Sequence, residues 1–400
     1  MIRKISVQDL RPGMEVVRMA SDMWTHLPYL YTKPGVIRSE MEVHRIRQEG
    51  YLDVFIRQEV PDDGKTDDER LERIVLQRRD NPPRKRRAPF QREIRKARKA
   101  YDEALVQTKR MMSDVKMGRQ VDVESTTHAV EGIINVAVQN PDALICLSKL
   151  SRYDSYTYAH CINVASIAVV FGEYLGLPLE DLVLLGLAGM MHDLGKTAVP
   201  ERIINKQGRL LPREFEEVRK HPTYGQMILE KSGNIAPRVV QAVAQHHEKF
   251  NGSGYPHGMR KDDIGVFGRI LSLADVYDAL TSDRSYKDAI LPNKALAIMY
   301  GMRDQDFCSI EVQMFIKCLG IFPSGSLVRL NTGDLGVVFE SNPERPLLPK
   351  IKVILDEDLR PIPAKLVDLA AEQNPVFNIV ECADPSQYKL NLKPYIQTRE

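Results

Sequence analysis

The sequence lacks the features that mark secreted, membrane-spanning and cysteine-metal proteins. Its five cysteines are scattered from Cys146 to Cys382 and form no close pair of the kind that binds structural zinc or serves a redox motif. Reduced, buried thiols are therefore expected. The first residues show no apolar signal-peptide core, and no later segment supplies about 20 uninterrupted apolar residues. These absences predict a cytoplasmic protein with no membrane span.

An excess of charge of one sign is also missing. The chain of 400 residues has a formal net charge of +2, with 43% hydrophobic and 28% charged residues, so it can bury two or three domain cores. Basic residues crowd one stretch, from Arg78 to Lys99, with little aromatic interleaving. We interpret it as a solvated linker or a partner-facing helix and expect no nucleic acid partner; binding to DNA or an anionic membrane is the alternative.

Changes of pattern along the chain predict four parts. Residues 1–66 mix short apolar runs with turn signals, which indicates a small N-terminal α/β domain. Residues 67–140 are predicted as a basic linker, broken at Asn81-Pro82-Pro83, with connecting helices. Residues 141–320 are predicted to be a helical domain, and residues 321–400 a small C-terminal β subdomain. The predicted fold class is therefore mainly α.

Helical periodicity and breakers place the individual helices. One is predicted from Phe90 to about Lys116 and one from Ser125 to Val138. Further helices are predicted near residues 143–150, 156–175, 179–193, 212–231, 236–248, 267–282 and 293–302.

Histidines and aspartates concentrate in the helical region. Six of the nine histidines lie between residues 160 and 257. A lone histidine is more often a hydrogen-bonded core or surface group, so only the joint arrangement is informative. Residues adjacent on a helix point about 100° apart, so a pair such as His192-Asp193 could reach two ions, with the carboxylate between them. The candidate ligands are His160, His192, Asp193, His221, His246, His247 and Asp275.

This set of ligand types limits which metals could bind and which reaction they could support. Imidazole and carboxylate without cysteine argue against structural zinc and favour manganese or iron, with nickel or zinc as further options. Two ions about 4 Å apart can bring the pKa of a bridging water toward neutrality and so supply a hydroxide that attacks phosphorus. The pattern therefore indicates phosphodiester hydrolysis.

Two motifs resemble the HD-GYP family of metal-dependent phosphodiesterases. Residues 190–196, MMHDLGK, match the HD core, and residues 246–256, HHEKFNGSGYP, are similar to the HD-GYP signature. Residues 200–211, 221–225 and 270–284 add supporting matches, so the resemblance spans about residues 150 to 300. Residues 1 to about 60 also look like a small domain that often precedes HD-GYP modules.

The resemblance implies an HD-type all-helical catalytic domain that hydrolyses the bacterial second messenger cyclic di-GMP to pGpG, and in a slower step to GMP. It implies two divalent metal ions. The first would lie among His160, His192, Asp193 and Asp275. The second would lie among His221, His246 and His247, with Asp193 shared.

The resemblance also assigns roles around the substrate. Asp193 and Lys196 would be catalytic, with Lys196 on the substrate phosphate; its alternative is a solvated surface lysine. Arg284 and Lys287 would meet phosphate oxygens, unless they are ordinary exposed cations. The loop with Gly254, Tyr255 and Pro256 would place the substrate, with Tyr255 stacking on guanine, or bind diguanylate cyclase domains; a purely structural turn is the alternative.

One departure from the family limits the metal count. Some members place a glutamate four residues before the first histidine and hold a third metal with it, whereas this sequence has Tyr156 there. A phenol replaces a carboxylate poorly, so two metals are expected.

Three functional alternatives stay open at this point. The chain could be an active hydrolase of cyclic di-GMP, a weakly active cyclic di-GMP sensor or docking module acting through protein contacts, or a hydrolase of another nucleotide. A homodimer is one assembly that the sequence leaves open.

Overall fold

The computed structural model describes residues 2–20, 35–48, 53–57, 67–78, 87–150, 156–206, 208–283, 289–342, 344–371 and 377–397. Contacts divide the chain into two units, Met1–Arg70 with Leu177–Leu182, and Leu71–Gly176 with Val183–Glu400. The mainly α fold class is confirmed. The break at Asn81-Pro82-Pro83 lies outside the described residues, and the predicted domain boundaries stay predictions.

The first unit contains a small antiparallel sheet and one helix. The strands are β1 (Ile2–Ser6), β2 (Glu15–Ala20), β3 (Gly35–Val36) and β4 (Asp53–Arg57), in the order β1-β4-β2-β3, and the helix is α1 (Glu40–Gln48). Val54 and Ile56 alternate onto the buried face of β4, as the two-residue period of a strand requires. They join a core with Val7, Leu10, Val16, Ile37, Val43 and Ile46.

Helices make up most of the second unit. The helices that follow α1 in the chain are α2 (Asp67–Arg78), α3 (Phe90–Lys116), α4 (Val123–Gln139), α5 (Pro141–Leu150), α6 (Tyr156–Leu175), α7 (Leu179–Met191), α8 (Glu201–Ile204), α9 (Pro212–Val218), α10 (His221–Ser232), α11 (Pro237–Gln245), α12 (Val266–Thr281), α13 (Pro292–Gly301), α14 (Ser309–Leu319) and α15 (Lys393–Gln397). A short 3-10 turn, Leu194–Ala198, follows α7.

Helix α6 lies in the middle of this unit. It contacts α3, α4, α5, α12 and α14, which explains why apolar residues occur all round it. Its stretch Thr157–Leu175 is long and apolar enough to cross a membrane by length and composition, but 89% of that window is buried inside the fold. This degree of burial is typical of a core helix.

The single helix predicted over residues 212–231 is wrong. The chain forms α9 and α10 instead, with a break at Arg219 and Lys220. Pro222, in the first turn of α10, has no N–H to donate to the Val218 carbonyl four residues earlier, so an uninterrupted helix would lose that bond. Proline is tolerated where it stands, because N–H groups in a first turn have no helical partner.

A five-stranded antiparallel sheet forms the C-terminal part, which confirms that the predicted small β region exists there. Its strands are β5 (Leu327–Leu330), β6 (Leu335–Glu340), β7 (Lys350–Leu355), β8 (Pro361–Asp368) and β9 (Ile379–Ala383), in the order β8-β7-β6-β5-β9. Val328, Val338 and Ile351 are fully buried in its core. The Asp142 carboxylate on α5 accepts bonds from the Ser324 hydroxyl at 2.5 Å and the Ser341 amide at 3.0 Å, which tie this sheet to the helices.

Candidate metal centre

Three of the candidate histidines share one local geometry. His192 and His246 directly follow α7 and α11, and His221 lies three residues after the end of α9. In each, Nδ1 contacts the backbone carbonyl three residues earlier, at 2.8 Å from Gly189, 2.7 Å from Val218 and 2.7 Å from Val243. Carbonyls of a last helical turn have no partner within the helix, so the imidazoles satisfy them.

This geometry fixes the tautomer of the three rings. A carbonyl oxygen only accepts, so Nδ1 must carry a proton, and in the neutral ring the lone pair is then on Nε2. The Nε2 atoms of His221 and His246 lie 3.1 Å apart. Two lone pairs therefore face each other at a distance where a cation between them would be bound by both.

The sequence His221-Pro222 helps to build this arrangement. Because Pro222 cannot donate to the Val218 carbonyl, that oxygen is available to the His221 ring. The turn after Asp193 then packs closely on the start of α10, since a Cβ atom at Gly195 would lie 1.9 Å from the His221 carbonyl oxygen. Only glycine allows this approach, which sets Asp193 beside His221.

His160, on α6, is held by two carboxylates of α12. Its Nδ1 lies 2.7 Å from Asp278 Oδ2, and its Nε2 lies 3.0 Å from Asp275 Oδ1. Burial alone would lower the pKa of His160, but the bonds to Asp275 and Asp278 raise it to about 9. Without a metal, this ring is therefore an imidazolium at neutral pH.

Asp193 lies between the other ligands. Its Oδ2 is 3.4 Å from His192 Nε2 and 3.8 Å from His160 Nε2, while its Oδ1 is 3.4 Å from His221 Nε2. Lys196 donates to Oδ2 at 2.5 Å. Burial opposes ionisation of Asp193, but Lys196 and His192 hold its pKa well below the ordinary value. The carboxylate is thus ionised and faces several candidate ligands.

The remaining candidates complete one cluster. His247 Nδ1 lies 3.7 Å from Asp275 Oδ2. Burial lowers the pKa of His221 to about 3 and that of His247 to about 4, and it places the pKa of His246 well below its usual value. Neutral imidazoles are the form that binds metals. Sets with ligand atoms within 4.8 Å of one another are His221, His246 and His247; His160, His192 and Asp275; and His192, Asp193 and His246.

The donor set fits divalent metal ions. His192 Nε2 and Asp193 Oδ1 are buried polar atoms with no hydrogen-bond partner among the residues that the structure describes. Such atoms are costly unless something satisfies them. Because both belong to a cluster of imidazole nitrogens and carboxylate oxygens, bound metal ions account for them.

The Gly-Tyr-Pro segment forms a loop fastened beside this cluster. The buried Glu248 carboxylate accepts the amides of His257 at 2.6 Å and Met259 at 3.0 Å. A Cβ at Gly254 would lie 2.3 Å from the Lys249 amide nitrogen, so the loop closes tightly there. Glu248 therefore ties the loop to the end of α11.

Tyr255 lies against the cluster of candidate metal ligands. Its ring centroid is 4.8 Å from that of His247, and the Arg219 guanidinium lies over its ring at 4.7 Å. Stacking of guanine on the face that Arg219 covers would require this arginine to move.

The structure does not place several of the predicted site residues at the cluster. Arg284 and Lys287 lie outside the described residues, and Tyr156 is described only as the first residue of α6. Sequence reasoning also missed residues around the cluster: Tyr101, Asn163, Arg219 and Asp278. Asp278 had a usable signal, because it lies three residues after Asp275 and so on the same side of α12.

Family comparisons match most of the chain. Residues 133–308 match an HD domain, residues 2–126 a domain of unknown function (DUF3391), and residues 327–391 a KOW domain associated with HD domains. The cyclic di-GMP phosphodiesterase PA4108 of Pseudomonas aeruginosa is 32% identical over 92% of this chain and 89% of its own length.

Two further relatives match shorter parts of the chain. The cyclic di-GMP phosphodiesterase response regulator RpfG of Xanthomonas campestris is 37% identical over 40% of this chain and 44% of its own length. The 3'3'-cGAMP-specific phosphodiesterase 2 of Vibrio cholerae is 41% identical over 33% of this chain and 26% of its own length. The chain thus spans less than half of these two relatives. Because the likeness to PA4108 extends over nearly all of both proteins and the HD domain is matched, this chain belongs to the HD-GYP family of HD-domain phosphohydrolases.

Proposed function

We propose that this protein hydrolyses cyclic di-GMP to pGpG, and more slowly to GMP, at a dinuclear metal site. The observation that carries the proposal is the convergence of seven buried or half-buried side chains, three of them with Nε2 lone pairs fixed toward a common centre. The near full-length likeness to a cyclic di-GMP phosphodiesterase supports the choice of substrate.

Seven residues would hold the metals. His160, His192, Asp193 and Asp275 would surround one ion; His221, His246 and His247 the other, with Asp193 shared. We propose manganese or iron as the bound ions, with nickel or zinc as further options. Two such ions would supply an activated water and neutralise charge on the phosphate.

The protein's own residues would prepare the site for this chemistry. The carbonyls of Gly189, Val218 and Val243 orient three imidazoles with Nε2 toward the cluster. Lys196 keeps Asp193 ionised and, being partly exposed, would also contact a phosphate oxygen. Tyr255, beside His247, would position a guanine, with Arg219 at its rim. Arg284 and Lys287 would add phosphate contacts.

The setting of the reaction is part of the proposal. We place it in the bacterial cytoplasm, where the messenger acts. The Gly-Tyr-Pro loop would be the contact for diguanylate cyclase domains, and a homodimer is the assembly to test first by sedimentation.

Turnover by the purified protein tests the function. Protein reconstituted with manganese or ferrous iron under anaerobic conditions should convert cyclic di-GMP to pGpG. The paired change His192→Ala and Asp193→Ala should abolish turnover, whereas His128→Ala, which removes an exposed histidine of α4, should leave it unchanged. Intact cyclic di-GMP after incubation with the metal-loaded protein would refute the proposal.

The same turnover assay should be run with 3'3'-cGAMP, because one of the relatives is named for that nucleotide. That relative, from Vibrio cholerae, is 41% identical over 33% of this chain. Side-by-side turnover should favour cyclic di-GMP. Preference for 3'3'-cGAMP would keep the metal chemistry and change the substrate, while binding without turnover would favour the sensor or docking alternative.

A further inference from the structure

A buried chain of hydrogen bonds leads from helix α3 to the metal centre. The Tyr101 hydroxyl donates to Asn163 Oδ1 at 2.8 Å, and Asn163 Nδ2 donates to Asp278 Oδ1 at 2.9 Å. Asp278 Oδ2 then accepts from His160 Nδ1 at 2.7 Å. All four residues are at most 4% exposed, so water does not compete for these bonds.

The direction of each bond follows from donor and acceptor chemistry. An ionised carboxylate only accepts, so Asp278 requires a proton on His160 Nδ1 and leaves Nε2 for the ion. An amide has one oxygen and one nitrogen, so a donor to Asn163 Oδ1 selects the orientation in which Nδ2 faces Asp278. The Tyr101 hydroxyl is that donor. Asp278 also accepts the Ser282 hydroxyl at 3.1 Å.

The Tyr101 end of this series of hydrogen bonds lies outside the residues that match the HD domain. Tyr101 belongs to α3, within residues 2–126 that match the domain of unknown function, whereas the HD match covers residues 133–308. Helix α3 contacts α5 and α6 in the same unit. The helix that carries Tyr101 is thus part of the support of a metal ligand on α6.

We infer that Tyr101 is a positioning residue for the metal centre, acting through Asn163 and Asp278 to hold the His160 ring with Nε2 toward the ion. This inference rests on the metal site in the proposed function. Tyr101 touches neither metal nor substrate, so its effect reaches the ion only through His160. Removal of a group bonded directly to a metal ligand, as Asp278 is to His160, typically changes metal affinity by about 10- to 100-fold, and Tyr101 lies two hydrogen bonds further out, so we expect the lower end of this range.

The test is manganese affinity of the intact protein, measured by calorimetric titration. Tyr101→Phe removes one hydroxyl and keeps the ring. The matched control is Tyr277→Phe, because Tyr277 is 1% exposed and its hydroxyl has no hydrogen-bond partner among the described residues. We expect Tyr101→Phe to weaken binding of one manganese equivalent by about tenfold and Tyr277→Phe to leave both equivalents unchanged.

A coupling measurement separates positioning from general destabilisation. In a His160→Ala background, Tyr101→Phe should cause no further loss of manganese affinity, because its route to the ion is gone. The same loss in both backgrounds would overturn the inference. So would a folded Tyr101→Phe protein with wild-type affinity. If Tyr101→Phe does not fold, Asn163→Ala interrupts the same series of hydrogen bonds. It should also weaken manganese binding in the wild type and cause no further loss in the His160→Ala background.

The outcomes distinguish this inference from the proposed function. A wild-type protein that binds manganese but leaves cyclic di-GMP intact would refute the function, while the affinity comparison would still decide the role of Tyr101. A wild-type protein that takes up none of manganese, ferrous iron, nickel and zinc would overturn both.

Discussion

The Nε2 atoms of His221 and His246 face each other at 3.1 Å while both Nδ1 atoms are bonded to backbone carbonyls. The two lone pairs repel in the free protein, and a bound cation converts this repulsion into two ligand bonds. Metal should therefore stabilise the fold, by about 2.7 kcal/mol at a free concentration 100 times the Kd. Thermal unfolding with manganese or with a chelator measures this shift.

The control for that experiment is the paired change His221→Ala and His246→Ala. It removes both lone pairs, so the stabilisation by manganese should shrink. An equal shift in this variant and the wild type would show that manganese acts elsewhere.

Metal loading should also release protons. At pH 8 the His160 ring, with its pKa of about 9, still carries a proton that the ion must displace, whereas His221 and His247, with pKa values of about 3 and 4, are already neutral. We expect release of about one proton per chain at pH 8, falling as the pH rises through 9. Calorimetric titration in buffers of different ionisation enthalpy counts the protons. An equal count for His160→Ala would contradict this assignment.

Lys196→Met should slow turnover by about 100-fold or more, as expected when a cation that contacts the reacting phosphate is removed. Lys196 also lowers the pKa of Asp193, so its removal raises that pKa and the ionised form requires a higher pH. The acid limb of the kcat/KM profile should therefore move to higher pH. Lys231→Met, at an exposed position of α10, is the control, and an unmoved acid limb would refute the link to Asp193.

Tyr255→Ala should raise KM about tenfold with a smaller effect on kcat, because base stacking contributes about 1–3 kcal/mol. Tyr255→Phe keeps the ring and should resemble the wild type. A fall in kcat at unchanged KM would assign Tyr255 to the reaction step instead. Steady-state kinetics with cyclic di-GMP distinguish the two results.

A buried ion cluster makes a prediction about stability. Arg269, on the same helix as Asp275, donates to Glu311 at 2.9 Å and to the more exposed Glu72 of α2. Glu311→Ala should lower the free energy of unfolding by about 3–5 kcal/mol, since it leaves a buried guanidinium short of a partner. Glu72→Ala should cost less. Urea unfolding compares them, and a larger loss for Glu72→Ala would contradict this ranking.

Much of the fold followed from sequence patterns. Helix α6 has the predicted bounds of residues 156–175, because apolar residues fill its length and Gly176 and Pro178 follow its end. Strand β8 was not predicted, because most of its residues are exposed and it contains Pro361 and Pro363. Helix α14 was not predicted either. The break before α10 was missed because the charged residues on either side suit a helix equally well.

Six of the seven candidate ligands were predictable because they lie in the motifs at residues 190–196, 221–225, 246–256 and 270–284. His160 lies in none of these and was predicted from the concentration of histidines in the helical region and from the family resemblance. The structure brings all seven together; their role as ligands stays a prediction. Tyr101 and Asn163 could not be found this way, because they lie 62 positions apart in the chain and Asn163 lies 115 positions from Asp278. Their bonds depend on packing between α3, α6 and α12, which no local pattern reports.

Main-chain carbonyls at helix ends orient His192, His221 and His246. Because the backbone orients these histidines, the ligands are in place before an ion binds, so ions can be exchanged without refolding. Affinity alone then favours the metals late in the divalent series over manganese or iron. We therefore expect the identity of the bound ion to depend on which metals are available in the cell. The rate of substrate hydrolysis should then change with that ion.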